Sequence, residues 1–380
     1  AAIFEASGAL IAGGDVVGTI KKGIIDPALI GDSDTFIWLM MAALLAAALW
    51  LNAATAIGAP VSTTHSIVGG VMGAGVAAGG VDIVDWHQFG QIAASWIISP
   101  MLGGTIAALS LYLIKRRITY KRDIAGAARR NVPLFVAIMA WAFATYLVVK
   151  GLNKIVDVGI LPAIVLGAVV AVIVWGVTKR AYLRPSLQVE NSKAGVDSLF
   201  TLPLIFAAAL LSFAHGANDV ANAVGPLAAI NETVFHGDIE AQAAIPGWVM
   251  LVGAVGIALG LALYGPKLIR TVGSEITELD RMRAFCVAMA AAITVIIASQ
   301  LGLPVSSTHI AIGGVFGVGF LREHLKTTYQ DKIEEIEAHY AGEDREKVEN
   351  LLREFQESSF EEKGEILDNL KGQGKDGAPI

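Results

Sequence analysis

Along this chain apolar residues gather in runs of roughly 18–25 positions, the length that carries a helix across a bilayer core. The runs cover residues 1–20, Phe36 to about Ile57, Pro60 to about Val76, Phe89–Ile114, Val132–Val149 and Ile160–Thr178. They resume with Thr201–Ile230, Trp248–Tyr264, a stretch ending near Ser299, and Pro304 to about residue 320. Polar turns such as Lys21–Asp34 and Asp82–His87 separate them, with Trp86 placed as an interfacial belt residue. Past residue 320 the pattern changes. Ile333, Ile336 and Tyr340, then Val348, Leu351, Leu352 and Phe355, recur at helical spacing among charged residues. Ser359-Phe360-Glu361-Glu362 fits a capping box. This end predicts a short amphipathic helical hairpin.

Composition agrees with the runs. The chain is 54% apolar and 16% charged, with a mean hydropathy of +0.61, against the usual quarter of charged residues in soluble proteins. It reads as an all-α polytopic membrane protein, whose obligatory partner is the lipid bilayer. Its 41 glycines suit helices that approach closely. A single cysteine, Cys286, excludes a disulfide framework and a metal-thiolate site, and reads as a buried thiol. The net charge of −6 belongs to the tail. Residues 322–380 hold 9 Lys/Arg against 16 Asp/Glu, leaving the membrane part near neutral. Nothing in this balance calls for nucleic acid. No cleavable signal peptide is visible.

One stretch occurs twice. Pro60-Val61-Ser62-Thr63-Thr64-His65, running into Ile67-Val68-Gly69-Gly70-Val71-Met72-Gly73, aligns without a gap on Pro304-Val305-Ser306-Ser307-Thr308-His309 and Ala311-Ile312-Gly313-Gly314-Val315-Phe316-Gly317, at a constant offset of 244 residues. The chain is internally duplicated. Basic loops mark the cytoplasm, and residues 115–131, 179–198 and 266–283 carry them. With these inside, an odd number of crossings separates the two copies, so they run in opposite directions. That is the inverted repeat of secondary transporters, in which discontinuous helices meet near the midplane. The expected organisation is a first repeat at 1–114, basic loops with two scaffold helices at 115–198, a second repeat at 199–320, and an acidic cytoplasmic segment at 321–380. The first repeat has a span after its Pro-Val-Ser segment that the second lacks. The second is preceded by a Gly-Ala-Asn-Asp segment without counterpart before Ala1. One further helix at each end of the native protein is therefore expected.

The duplicated segments place Pro and hydroxyls inside apolar runs. Pro suits the first turn of a helix, and Ser or Thr beside it caps the orphan N–H groups. A helix start at mid-membrane offers N–H donors and partial positive charge to an anion. Ser62, Thr63, Thr64, Ser306, Ser307 and Thr308 add uncharged donors, fit for an oxyanion that must be desolvated and then released. Taken singly, such hydroxyls can equally bond back to their own helix. His65 and His309 could donate to the anion or relay a proton; for either alone a packed structural imidazole is favoured.

The run 201–230 contains His215-Gly216-Ala217-Asn218-Asp219-Val220-Ala221-Asn222. Asn218 and Asn222 share a helix face and Asp219 sits beside it. A carboxylate inside a membrane helix costs several kcal/mol and is a functional hypothesis by default. Asp and Asn oxygens are hard ligands of the kind Na⁺ takes, and Gly216 and Gly225-Pro226 would let the helix unwind and add backbone carbonyls. The alternative is that Asp219 caps a helix after a break at His215-Gly216. Glu5, one turn before Gly8, is a candidate for charge compensation, cation binding or proton relay; Asp15 lies nearer the boundary and is weaker.

Gly216-Ala217-Asn218-Asp219-Val220-Ala221-Asn222-Ala223, the two Pro-Val-Ser-(Thr/Ser)-Thr-His segments, Ile3-Phe4-Glu5 before Gly8, and Lys21-Lys22-Gly23-Ile24-Ile25-Asp26 closely resemble the inorganic phosphate transporter (PiT) family, over residues 1 to about 320. The resemblance implies a Na⁺- or H⁺-coupled phosphate symporter, not an enzyme, in a multi-pass cell-membrane protein. It implies phosphate contacts from Ser62, Thr63, Thr64, Ser306, Ser307 and Thr308, with Asn218 and Asn222 beside them. Cation coordination falls around Asn218, Asp219 and Asn222, and a transport-essential carboxylate at Glu5. The family carries two Gly-Ala-Asn-Asp copies, of which only the second is present here. No cofactor is expected beyond the substrate phosphate and Na⁺ as coupling ion. Na⁺ is preferred to H⁺ because Asn and hydroxyl ligands suit a metal ion and add nothing to proton carriage. Another oxyanion such as sulfate, a channel, and a hydrolase using His65 or His309 with Asp219 are the rival readings; homo-oligomerisation is left open.

Overall fold

The computed structural model describes residues 1–59, 61–152, 156, 158–184, 189–236, 245–275 and 279–339, with isolated positions at 350, 353, 355 and 366. Among them the chain is helical: α1 (Ala2–Ala12), α2 (Gly14–Lys22), α3 (Ser33–Ile57), α4 (Thr63–Gly79), α5 (Trp86–Ile114), α6 (Ile124–Lys150), α7 (Ile160–Tyr182), α8 (Lys193–Leu199), α9 (Thr201–His236), α10 (Gly247–Glu275), α11 (Arg281–Gln300) and α12 (Ser307–His339). Seven of the described helices are long and apolar enough to cross a membrane. The protein is therefore multi-pass.

The two duplicated segments fold alike. α3 ends at Gly58 and α11 is followed by Gly302, both with positive φ (77° and 66°), a conformation glycine adopts without steric cost. A short non-helical stretch follows each among the described residues. Then Ser62 accepts from the His65 backbone N–H at 3.1 Å, and Ser306 from that of His309 at 3.2 Å. These are N-caps, which satisfy one orphan donor apiece. The expected first-turn prolines are not seen: Pro304 lies in the break, two residues before the cap, and Pro60 falls outside the described residues.

α9 is the axis. Ala207, Leu210, Phe213, Ala214 and Ala217 on its first half pack into an apolar cluster with α5, α6, α11 and α12. Val220, Ala221, Val224, Ala228 and Ala229 on its second half pack into another with α1 to α4 and α10. Asn218, Asp219 and Asn222 lie where the helix passes between the two. Outer helices present apolar side chains to the surroundings; Leu161, Val172 and Ile173 on α7 are well exposed, as lipid-facing positions should be.

Four expectations need correction. The first run is not one helix: α1 and α2 meet at Gly13. α9 is continuous, so neither Gly216 nor Gly225-Pro226 unwinds it, and no break leaves Asp219 as a cap. These glycines serve close approach instead. A Cβ on Gly216 would overlap the Glu5 carbonyl, one on Gly8 the Phe213 carbonyl, and one on Gly225 would press on Ile20. Lys21 and Glu232 are not loop residues. They lie on α2 and α9, where Lys21 Nζ and Glu232 Oε2 form a buried ion pair. Finally, α10 runs to Glu275 and α12 to His339, past the boundary drawn at 320, so the first arm of the expected tail hairpin is fused to α12. Most of the second arm, and the capping box at Ser359, fall outside the described residues.

Candidate functional site

The two breaks meet against α9. Thr64 Oγ1 donates to the Val305 carbonyl at 3.0 Å, joining one duplicated segment to the other. The imidazoles of His65 and His309 lie edge to face with centroids 4.8 Å apart, and Trp96 covers His65 at 3.9 Å. Trp96 Nε1 donates to the Pro304 carbonyl at 3.1 Å, and Thr19 Oγ1 to that of Gly302 at 2.7 Å. Carbonyls freed where a helix stops are thus satisfied by side chains from α5 and α2, as buried backbone requires.

Asn218, Asp219 and Asn222 of α9 divide their work. Asn218 is fully engaged with the second break. Its Nδ2 donates to Ser299 Oγ at 3.0 Å and the Leu303 carbonyl at 3.2 Å, and its Oδ1 accepts from Val305 N–H at 3.3 Å. Asn222 serves the first: Nδ2 donates to Thr63 Oγ1 at 3.2 Å and Thr64 Oγ1 at 3.3 Å. Asp219 Oδ2 accepts from Thr63 Oγ1 at 2.8 Å. The other oxygens of the last two, Asp219 Oδ1 and Asn222 Oδ1, are buried without a hydrogen-bond partner among the described residues. Buried polar atoms are seldom left so. These two are hard acceptors three positions apart, one turn along α9, as a small cation would need.

The copies are used unequally. Thr63 and Thr64 are tied down by α9 and Val305, whereas their equivalents Ser307 and Thr308 make no side-chain hydrogen bond among the described residues. One α9 serves both breaks, so its side chains cannot treat them alike. The N–H groups of the first turns of α4 and α12 have no intrahelical acceptor by construction.

Glu5 is buried on α1 and faces α9. His215 stands between the acids: its Nδ1 lies 3.3 Å from Glu5 Oε1 and its Nε2 3.2 Å from Asp219 Oδ2. Sequence reading singled out Glu5 and Asp219 but not this imidazole. The signal was present as the i, i+4 spacing of His215 and Asp219, which puts both on one helix face. Trp96 and Ser299, which complete the site, carried no signal. The Asp15 side chain falls outside the described residues.

The comparisons with known proteins agree with one another. A model of the phosphate transporter family matches residues 1–344. A Helicobacter pylori (strain J99) protein described as a "putative phosphate permease" is 53% identical over 378 residues, which is 98% of this chain and 71% of that protein. One of the same description from Pyrococcus abyssi (strain GE5 / Orsay) is 39% identical over 323 residues, 85% of this chain and 79% of its own. The solved structure of "the sodium-dependent phosphate transporter" superposes with a TM-score of 0.79 at 36% identity, over 84% of this chain and 79% of that one.

Proposed function

As a member of the phosphate transporter family, this chain is a phosphate-transport protein, and we propose that it works as a Na⁺-driven symporter by alternating access. The observation that carries the Na⁺ assignment is the pair of buried, unpartnered oxygens on Asp219 and Asn222. A carboxylate beside an anion path raises the cost of bringing phosphate in. A cation held between them lowers it, and that differential affinity is the coupling. In this reading Asp219 Oδ1 and Asn222 Oδ1 hold Na⁺, and Asn218 holds the second break in register beside them. Phosphate meets the amide ends of α4 and α12, with Ser307 and Thr308 supplying hydroxyls that have no side-chain partner among the described residues. Ser62 and Ser306 contribute by fixing where those helices begin. No Lys or Arg lies within either segment, so the anion is bound by dipoles and can leave again.

A second reading has its own support. Glu5, His215 and Asp219 form a line of titratable groups, each within reach of the next, and such a line suits proton coupling. Uptake of labelled phosphate into proteoliposomes separates the two. Saturable uptake is expected under an inward Na⁺ gradient at equal pH, and none under a pH gradient without Na⁺. Uptake driven by the pH gradient alone would transfer the coupling role to the Glu5–His215–Asp219 line. Flux that fails to saturate would favour a channel.

A further inference from the structure

The face that carries the basic loops holds a second polar cluster, built from α8 and from the ends of α5 and α11 remote from the α9 site. A cavity of about 200 Å³ has Lys115, Thr119, Tyr120, Lys193 and Arg283 among its walls. That is far above the ~15 Å³ one water needs. Three chain segments converge there: the π turn Lys115–Thr119 that ends α5, the start of α8, and the start of α11. Arg322, on α12, adds its charge, and Lys115 feels Arg283, Arg322 and Lys193 together, offset in part by Asp280.

Two carboxylates, Asp197 and Asp280, line the same cavity, and both are committed. Asp280 caps α11, accepting from Arg283 N–H at 2.8 Å, and pairs with Arg283 Nε at 3.2 Å. Asp197 accepts from Met282 N–H at 3.1 Å and lies 3.9 Å from Arg281 Nε. Among the described residues no carboxylate is within ion-pair distance of Lys115, Lys193 or Arg322. The cluster keeps a positive surplus in a partly enclosed space, where like charges repel and an anion is drawn in.

Thr119 lines the cavity, and its hydroxyl oxygen is buried without a hydrogen-bond partner among the described residues. It sits on a π turn, an irregularity that often marks functional sites. Burial pushes the neighbouring Tyr120 phenol up from its ordinary value, which keeps it a proton donor. Several cations and hydroxyl donors around one recess match a multiply charged group with several acceptor oxygens.

We propose that this cavity is a second anion site, which binds a phosphoryl group supplied either by an anionic phospholipid or by a small soluble phosphate. It lies at the end of α5, where a bilayer headgroup and a soluble anion can both arrive.

The test uses the full chain and a Lys115→Gln/Lys193→Gln double variant, with Arg180→Gln/Arg184→Gln as the control that removes the same charge elsewhere on that face. Native mass spectrometry counts phosphatidic acid retained from phosphatidylcholine vesicles doped with it. Calorimetric titration with pyrophosphate in pure phosphatidylcholine reads the soluble source. The Lys115/Lys193 variant should weaken one of the two ligands by about tenfold, two charge-assisted contacts having been removed, while the control binds like the parent. Loss of phosphatidic acid identifies a lipid site, and loss of pyrophosphate a soluble one. If neither probe binds the parent, or if both double variants lose binding equally, the cavity is no site and the proposal fails.

Discussion

Thr63 donates its hydroxyl proton to Asp219 Oδ2 at 2.8 Å, across 156 positions of sequence. One bond thus fixes the start of α4 to the carboxylate of α9, and leaves the other carboxylate oxygen as the acceptor assigned to Na⁺. Replacing Thr63 by Val should leave Oδ2 short of a donor and lower Na⁺-driven phosphate uptake by about tenfold, the effect of losing one charged hydrogen bond. Thr63→Ser, which keeps the hydroxyl, should stay close to the parent. A loss in Ser with Val close to the parent would show that the methyl, not the bond, matters.

Asp219→Asn changes the charge and almost nothing of the shape. The Na⁺ dependence of uptake should disappear while the detergent-solubilised protein still unfolds cooperatively. Uptake that keeps its response to Na⁺ in this variant is incompatible with the proposed site.

Asn218 and Ser299 bond to one another at 3.0 Å, and Asn218 also holds two backbone groups of the second break. In a double-mutant cycle of Asn218→Ala and Ser299→Ala, unfolding free energies should show a coupling of about 1 kcal/mol. Asn218→Ala alone should be the more damaging single change, since it strips partners from Val305 and Leu303 as well. Strict additivity would mean the bond contributes nothing.

The duplication permits an internal control. Gly313 and Gly69 are equivalent, yet a Cβ on Gly313 would overlap the Pro100 carbonyl of α5, whereas one on Gly69 meets nothing within 4 Å. Gly313→Ala should destabilise by about 1–3 kcal/mol through overpacking. Gly69→Ala should be neutral or slightly stabilising, because Ala is the better helix former. Thermal unfolding of the two single variants decides it, and similar losses in both would rule out the backbone contact as the cause.

Lys21 and Glu232 are paired in the interior between α2 and α9. Removing one partner leaves the other charge buried, at a cost of about 3–5 kcal/mol. Lys21→Met and Glu232→Leu should each be severe singly, and the double variant should recover much of the loss. A double variant as unstable as the sum of the singles would mean that the charges do not compensate each other.

Much of the architecture was legible before any coordinates. A bilayer demands about twenty apolar residues per crossing, so the spans from Phe36, Phe89 and Ile160 onward, and the one ending near Ser299, could be read as runs. The duplicated Pro-Val-Ser segments announced two helix starts. Asp219 stood out because a carboxylate in such surroundings is expensive.

Other things were decided only by packing. That Gly216 seats Glu5 rather than breaking α9, that Lys21 finds Glu232, and that His215 stands between Glu5 and Asp219 all depend on which helix lies against which face. So does the division of labour that ties Thr63 and Thr64 to α9 while leaving Ser307 and Thr308 without a side-chain partner among the described residues. The sequence sets the periodicity and chemistry of each helix, because those are local. Partners hundreds of positions apart are chosen by close approach between backbones, and that is a property of the assembled bundle alone.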